Sequence, residues 1–267
     1  KGSSYSLPGV RDAEGYTFMG WSTKPMQSVS PQYEAEEKIT VNGNVDLYAV
    51  VFNRTTETDL TEDQLPQVDI YKYKQVIFVG DSRTEFMENV LTGMGESATK
   101  NVKFVCSAGK GLDWFTTTGW AQLYSIVQHD SNSILSKKTA VIFNFGVNDL
   151  SKSADYAEYY NWIAPQLKSK GCELYFMSVN PVNRLMLPNA GRADRSEAAV
   201  RSFNQYMKAN LPSAYTYIDM YSYLKSTGYS FASDHYGTGT VDDGLHYTTR
   251  TYKRIFAKCM DSLRVPA

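Results

Sequence analysis

Five short apolar runs, each followed at once by a polar loop, constrain this chain more than any other feature. They are Val76–Val79, Val102–Val105, Ala140–Phe143, Leu174–Met177 and Tyr215–Ile218, and helix-length segments separate them. A strand covered on both faces needs continuous rather than alternating apolar character, and a parallel pair needs a long crossover between its members. The helix from about Ser196 carries Val200, Phe203 and Met207 on one stripe. The last helix carries Tyr252, Ile255, Phe256, Cys259 and Leu263, with Thr248 as a plausible N-cap. The pattern predicts one doubly wound α/β domain with a parallel sheet over residues 68–267.

The first quarter of the chain reads differently. Gly15–Trp21 and Val45–Val51 alternate like half-buried strands, Asn42-Gly43 supplies a turn, and residues 53–67 form a Thr- and acid-rich stretch without apolar period. We expect a small β-rich module over 1–52 and a linker over 53–67. The Gly-Tyr-Thr-Phe-Met-Gly-Trp-Ser-Thr run from Gly15, with Ile39-Thr-Val and Leu47-Tyr-Ala-Val, resembles the internalin-type B repeat of bacterial surface proteins. The resemblance implies a β-grasp-like module, here expected to lack its opening strand and to act as a spacer with no ligand of its own, with cell-wall attachment expected through the wider protein.

Composition excludes several classes of partner. Twenty-seven basic residues against 28 acidic ones leave a net charge of -1, which provides no broad field for nucleic acid. No apolar run approaches the roughly 18 residues of a membrane span, and with Lys1 in first place any export signal is expected to lie outside this sequence. Cys106, Cys172 and Cys259 sit in apolar segments read as two strands and a helix, which suits buried thiols. No metal-ligand spacing stands out and no Gly-x-Gly-x-x-Gly follows the first strand, so neither a metal nor a cofactor is expected. The expected location is secreted or on the bacterial cell surface.

In open parallel sheets, ligands bind beyond the carboxyl ends of the strands. Four such ends read Gly80-Asp-Ser-Arg83, Ser107-Ala-Gly-Lys-Gly111, Asn144-Phe-Gly-Val-Asn-Asp149 and Asn180-Pro-Val-Asn183, and Asp242-Asp-Gly-Leu-His-Tyr247 precedes the last helix. In this order they resemble the blocks of the SGNH (GDSL-type) hydrolases, and the resemblance spans the α/β domain. It implies a flavodoxin-like three-layer α/β/α sandwich and a serine esterase with a Ser82, His246 and Asp243 triad. A serine hydroxyl needs a neighbouring imidazole to take its proton, and the imidazole needs an acceptor on its other nitrogen. The oxyanion donors implied are the Ser82 and Gly111 backbone N–H groups and the Asn148 amide, with Gly109 as the alternative glycine.

Each residue also has a plainer reading. Ser82 with Glu85 three positions on is a capping box, although Asp81 can cap as well. Arg83 is either a charge at the rim that holds a polar substrate or an exposed helix-start arginine. Trp114 and Trp120 line a sugar site or simply pack, and Asp149 reads as a capping residue. His129 lacks strand-end context, and His235 is the decoy base in a surface loop. The expected substrate is a small ester or an ester-bearing polysaccharide, with acetyl the expected group; a lipase or lysophospholipase, or a non-catalytic adhesion protein on a hydrolase fold, are the rivals.

Overall fold

The computed structural model describes residues 2–69, 72–130, 138–232 and 242–263, which leaves His235 outside the described residues. The chain divides into two compact units. One comprises residues 1–59, 180–202 and 221–251; the other comprises 60–179, 203–220 and 252–267. The two therefore interleave along the sequence.

The first unit contains β1 (Ser3–Ser6), β2 (Tyr16–Ser22), β3 (Lys38–Val41) and β4 (Tyr48–Asn53). Antiparallel pairing joins β1 to β3 and β2 to β4, so a strand stands at the very start of the module. Within residues 53–59, Thr55, Thr56, Thr58 and Asp59 are exposed and Glu57 turns inward. Glu57 is only 5 % exposed and accepts from the Ser230 hydroxyl at 2.6 Å and from the Thr251 hydroxyl. A buried carboxylate persists only where such donors replace its lost hydration.

The second unit is built on β5 (Tyr73–Gly80), α1 (Ser82–Met94), β6 (Val102–Cys106), α2 (Leu112–Trp114), α3 (Trp120–Asp130), β7 (Lys138–Asn144), α4 (Ser153–Lys168) and β8 (Cys172–Met177). After α5 (Glu197–Asn210) comes the fifth strand, β9 (Tyr215–Ile218), followed by α6 (Met220–Thr227) and α7 (Thr249–Ser262). The strands lie parallel in the order β6-β5-β7-β8-β9, the doubly wound order expected. Strand side chains alternate between two covered faces. Phe78 packs on Phe256 of α7, with centroids 5.8 Å apart, while Phe143 packs on Tyr160 of α4 at 5.1 Å. At the edge β6 is mostly half-buried, with Lys103 exposed, because a strand without an outer neighbour has less cover.

The register fixes where the functional loops begin. Gly80 of β5 pairs with Cys106 of β6 and with Asn144 of β7, so three strands end at one level. A Cβ on Gly80 would fall 2.0 Å from the Thr84 hydroxyl and 2.6 Å from the Asn144 carbonyl oxygen, which explains a glycine before the strand-to-helix turn. The three cysteines are free, with Cys172 and Cys259 buried and Cys106 half-buried.

Candidate active site

Ser82 opens α1 directly beyond β5. The cap is Asp81, whose Oδ1 accepts the Arg83 N–H at 3.0 Å. Glu85 does not close a capping box with Ser82; its Oε2 accepts the Ala108 N–H at 2.6 Å and ties the loop after β6 to α1. The plainer reading of Ser82 thus falls to its neighbour. Arg83 is neither at a rim nor exposed. It is 2 % accessible, because the start of α1 turns inward with Thr84, Phe86 and Met87. At Cys106, burial, then the Glu88 carboxylate 3.2 Å from its sulfur, push the thiol far above its ordinary range.

The loops after β6 and β7 are locked to each other. Asn148 Nδ2 donates to the Lys110 carbonyl at 2.8 Å, and Asp149 Oδ2 accepts the Leu112 N–H at 2.8 Å. Asp149 therefore caps α2 from the neighbouring loop, while its Oδ1 accepts from the Tyr156 hydroxyl at 2.8 Å. This bond requires glycine at 111, where a Cβ would lie 2.4 Å from Asp149 Oδ2; Gly109 instead has φ +70 and open space around it. Gly111 is the position held rigidly beside Asn148's loop, whereas Gly109 makes the turn. Trp114 packs on Phe145 at 6.2 Å, and Trp120 lies between Tyr124 and Trp162. His129 falls within α3.

Asp243 and His246 meet in the first unit. Asp243 Oδ2 lies 2.7 Å from His246 Nδ1, and Asp243 Oδ1 accepts the N–H groups of Leu245 and His246 at 2.9 and 2.8 Å. The carboxylate is 0 % exposed. Burial by itself raises its pKa, yet the hydrogen bond and charge of His246 and the two backbone donors together hold it below the ordinary value. One contact had no sequence signal. Arg192 reaches Asp243 Oδ2 through Nε at 3.2 Å, across 51 residues of sequence. Ser82, Gly111 and Asn148 belong to the other unit.

A serine at the first strand-to-helix turn of a five-stranded parallel sheet, together with an Asp-x-x-His loop, defines a class of α/β serine hydrolases. Residues 76–259 match the GDSL-like lipase/acylhydrolase family, and the chain belongs to it. It is accordingly a serine ester hydrolase of that class. Residues 1–50 match the Listeria-Bacteroides repeat domain. Among solved structures, a protein from Slackia heliotrinireducens described as an SGNH hydrolase is 14% identical, with a TM-score of 0.51 over 72% of this chain and 100% of its own. An acetyl xylan esterase, AlAXEase, is 11% identical (TM-score 0.46; 71% and 100% covered). The psychrotrophic esterase EstA from Pseudoalteromonas sp. is 13% identical (TM-score 0.41; 71% and 96% covered). At 14% identity the likeness to the Slackia heliotrinireducens protein is one of fold. No curated protein matches the chain.

Proposed function

We propose that the protein removes small acyl groups, acetyl foremost, from carbohydrate or cell-wall polymers at the bacterial cell surface, with Ser82 as nucleophile. The observation that carries this reading is the buried Asp243 carboxylate on His246 Nδ1. A carboxylate in that position fixes the tautomer that leaves Nε2 free of its proton, which is the form a general base needs.

In the first step His246 Nε2 takes the Ser82 hydroxyl proton as Oγ attacks the ester carbon. The carbonyl electron pair moves onto oxygen, where the Ser82 and Gly111 N–H groups and the Asn148 amide stabilise it, at about 3 to 4 kcal/mol per donor. Collapse breaks the ester C–O bond, the imidazolium returns its proton to the leaving alcohol, and an acyl-serine remains. Water then repeats the cycle, releasing the carboxylic acid and restoring Ser82. Asp243 stays ionised throughout, and its depressed pKa supports that role.

The repeat over residues 1–50, of a kind borne by surface proteins, supports a polymer outside the cell as acyl acceptor. Nitrophenyl esters of increasing chain length test the acyl preference. We expect kcat/KM to be greatest with acetate. A rise of roughly fourfold per added methylene, as burial of each CH₂ in a lipid-sized pocket would give, overturns it in favour of a lipase.

A further inference from the structure

We propose that Arg54 is a positioning residue for hydrolysis: through it, the N-terminal module holds the Asp242–His246 loop in its working geometry. The inference rests on the reading of His246 as general base. It assigns the module a part in the reaction rather than the role of a spacer.

Arg54 directly follows β4. Its Nη2 lies 2.5 Å from Asp12 Oδ2 and 2.5 Å from Asp242 Oδ2, so one guanidinium nitrogen bridges a carboxylate of the repeat and the residue next to Asp243. Both ends of the bridge are anchored. On the repeat side, Arg54 Nε donates to Thr17 Oγ1 at 2.9 Å, and Asp12 Oδ1 accepts the Phe18 N–H at 3.0 Å. On the loop side, Asp242 Oδ1 accepts the Gly244 N–H at 3.0 Å, which closes a turn around Asp243. A third strut runs from Asn183, whose N–H donates to the Gly244 carbonyl at 2.8 Å and whose Nδ2 donates to Asp12 Oδ1 at 2.8 Å.

The physics makes the cation essential to the geometry. Two carboxyl oxygens, each 2.5 Å from one nitrogen, are at most twice that distance apart, and at a pH where both groups are ionised they repel in a largely buried setting once the positive charge is gone. Asp242 would swing outward and carry the backbone of Asp243 with it. Displacement of a base by even about 1 Å can cost on the order of 100-fold in rate, even where the substituted residue lies away from the reacting atoms.

The test uses the full chain with nitrophenyl acetate. Arg54→Met should lower kcat by on the order of 10- to 100-fold with KM changed less than about twofold, since the bridge bears on the base and not on substrate binding. Arg54→Lys, which keeps the charge but not the fork, should recover part of the loss, and free guanidinium should recover part in Arg54→Met. Wild-type kcat in Arg54→Met overturns the proposal, as does a loss confined to KM. If Arg54→Met does not melt cooperatively, Asp242→Asn takes its place; it keeps the volume and the Gly244 acceptor, and wild-type kcat there overturns the proposal equally. His246→Ala separates the two readings. Full activity in that variant overturns the base assignment and the bridge with it, whereas an inactive His246→Ala beside a fully active Arg54→Met overturns the bridge alone.

Discussion

Both compact units have aromatic cores, with Tyr229, Phe231 and Tyr247 packed together in the first, but they differ in what ties their distant segments. In the unit around the parallel sheet, stability comes from aromatic and aliphatic packing: Phe78 lies 5.6 Å from Phe104 and 5.8 Å from Phe256, and Phe143 and Phe176 both pack on Tyr160. In the other unit, buried ionic groups bind distant segments. Lys225 bonds Glu34 at 2.6 Å and the Met19 carbonyl, Arg54 joins Asp12 to Asp242, and Glu57 gathers Ser230 and Thr251. Apolar packing is non-directional and tolerates changes that keep volume, whereas a buried polar network holds one geometry and fails when one partner is lost. Ser82 sits in the unit around the sheet and the Asp243–His246 pair in the other.

The largest effect should come from removing chemistry on either side. Ser82→Ala and His246→Ala should each lower kcat on nitrophenyl acetate by on the order of 10⁴- to 10⁶-fold, and to similar residual levels, because members of the proposed triad would act as a unit. Ser82→Ala should leave the thermal midpoint within a few degrees of wild type. A variant of either residue that keeps substantial activity removes it from the mechanism.

Core substitutions in the two units should cost similar energies and differ in whether they can be rescued. Phe78→Ala should destabilise by about 3 to 5 kcal/mol through the cavity left in the sheet core. Lys225→Met should cost a comparable amount, about 3 to 5 kcal/mol, because it strands the buried Glu34 carboxylate. Adding Glu34→Met should recover part of the second loss, since an apolar pair of similar volume has no desolvation cost. Chemical denaturation checks both, and additive losses in the double variant break the distinction between the units.

Protonation sharpens it further. Burial, then repulsion from Asp242, push the Asp12 carboxyl up to about 7, against the pull of the Phe18 N–H, Arg54 and Asn183. With a folded value above the unfolded one, the native state still holds a proton that the unfolded chain has released. Asp12 should therefore lower stability progressively between about pH 4 and pH 7. Asp243 has the opposite sign, stabilising above its ordinary value and losing that contribution as the pH falls below it. Asp12→Asn should flatten the stability profile between pH 4 and 7, which urea midpoints across that window will register.

The smallest effect is expected at Arg192. Its cation draws on the same Asp243 oxygen as His246 and disfavours a positive imidazole. Arg192→Met should shift the acid limb of the kcat/KM profile to higher pH by up to about one unit, as the side chain is 35% exposed and solvent screens it. An unmoved limb removes Arg192 from the electrostatics of the pair.

What the sequence determined alone was whatever rests on local pattern. Five continuous apolar runs gave five parallel strands because a twice-covered strand has no polar face to show, and the loops beyond the strand ends stood out by their polar composition, within which the family resemblance pointed to Asn148 and to Gly111 or Gly109. Asp243 and His246 were legible as neighbours because three residues in one loop already place them together. Tertiary structure decided the rest. The burial of Arg83, the structured 53–59 segment, the Arg192 contact with Asp243 and the bridge from Arg54 to Asp242, 188 residues away, have no periodicity to betray them. A long-range ion pair forms between single residues whose proximity only the folded backbone creates, and in the chain alone each is one more charged residue that solvent would accept as readily.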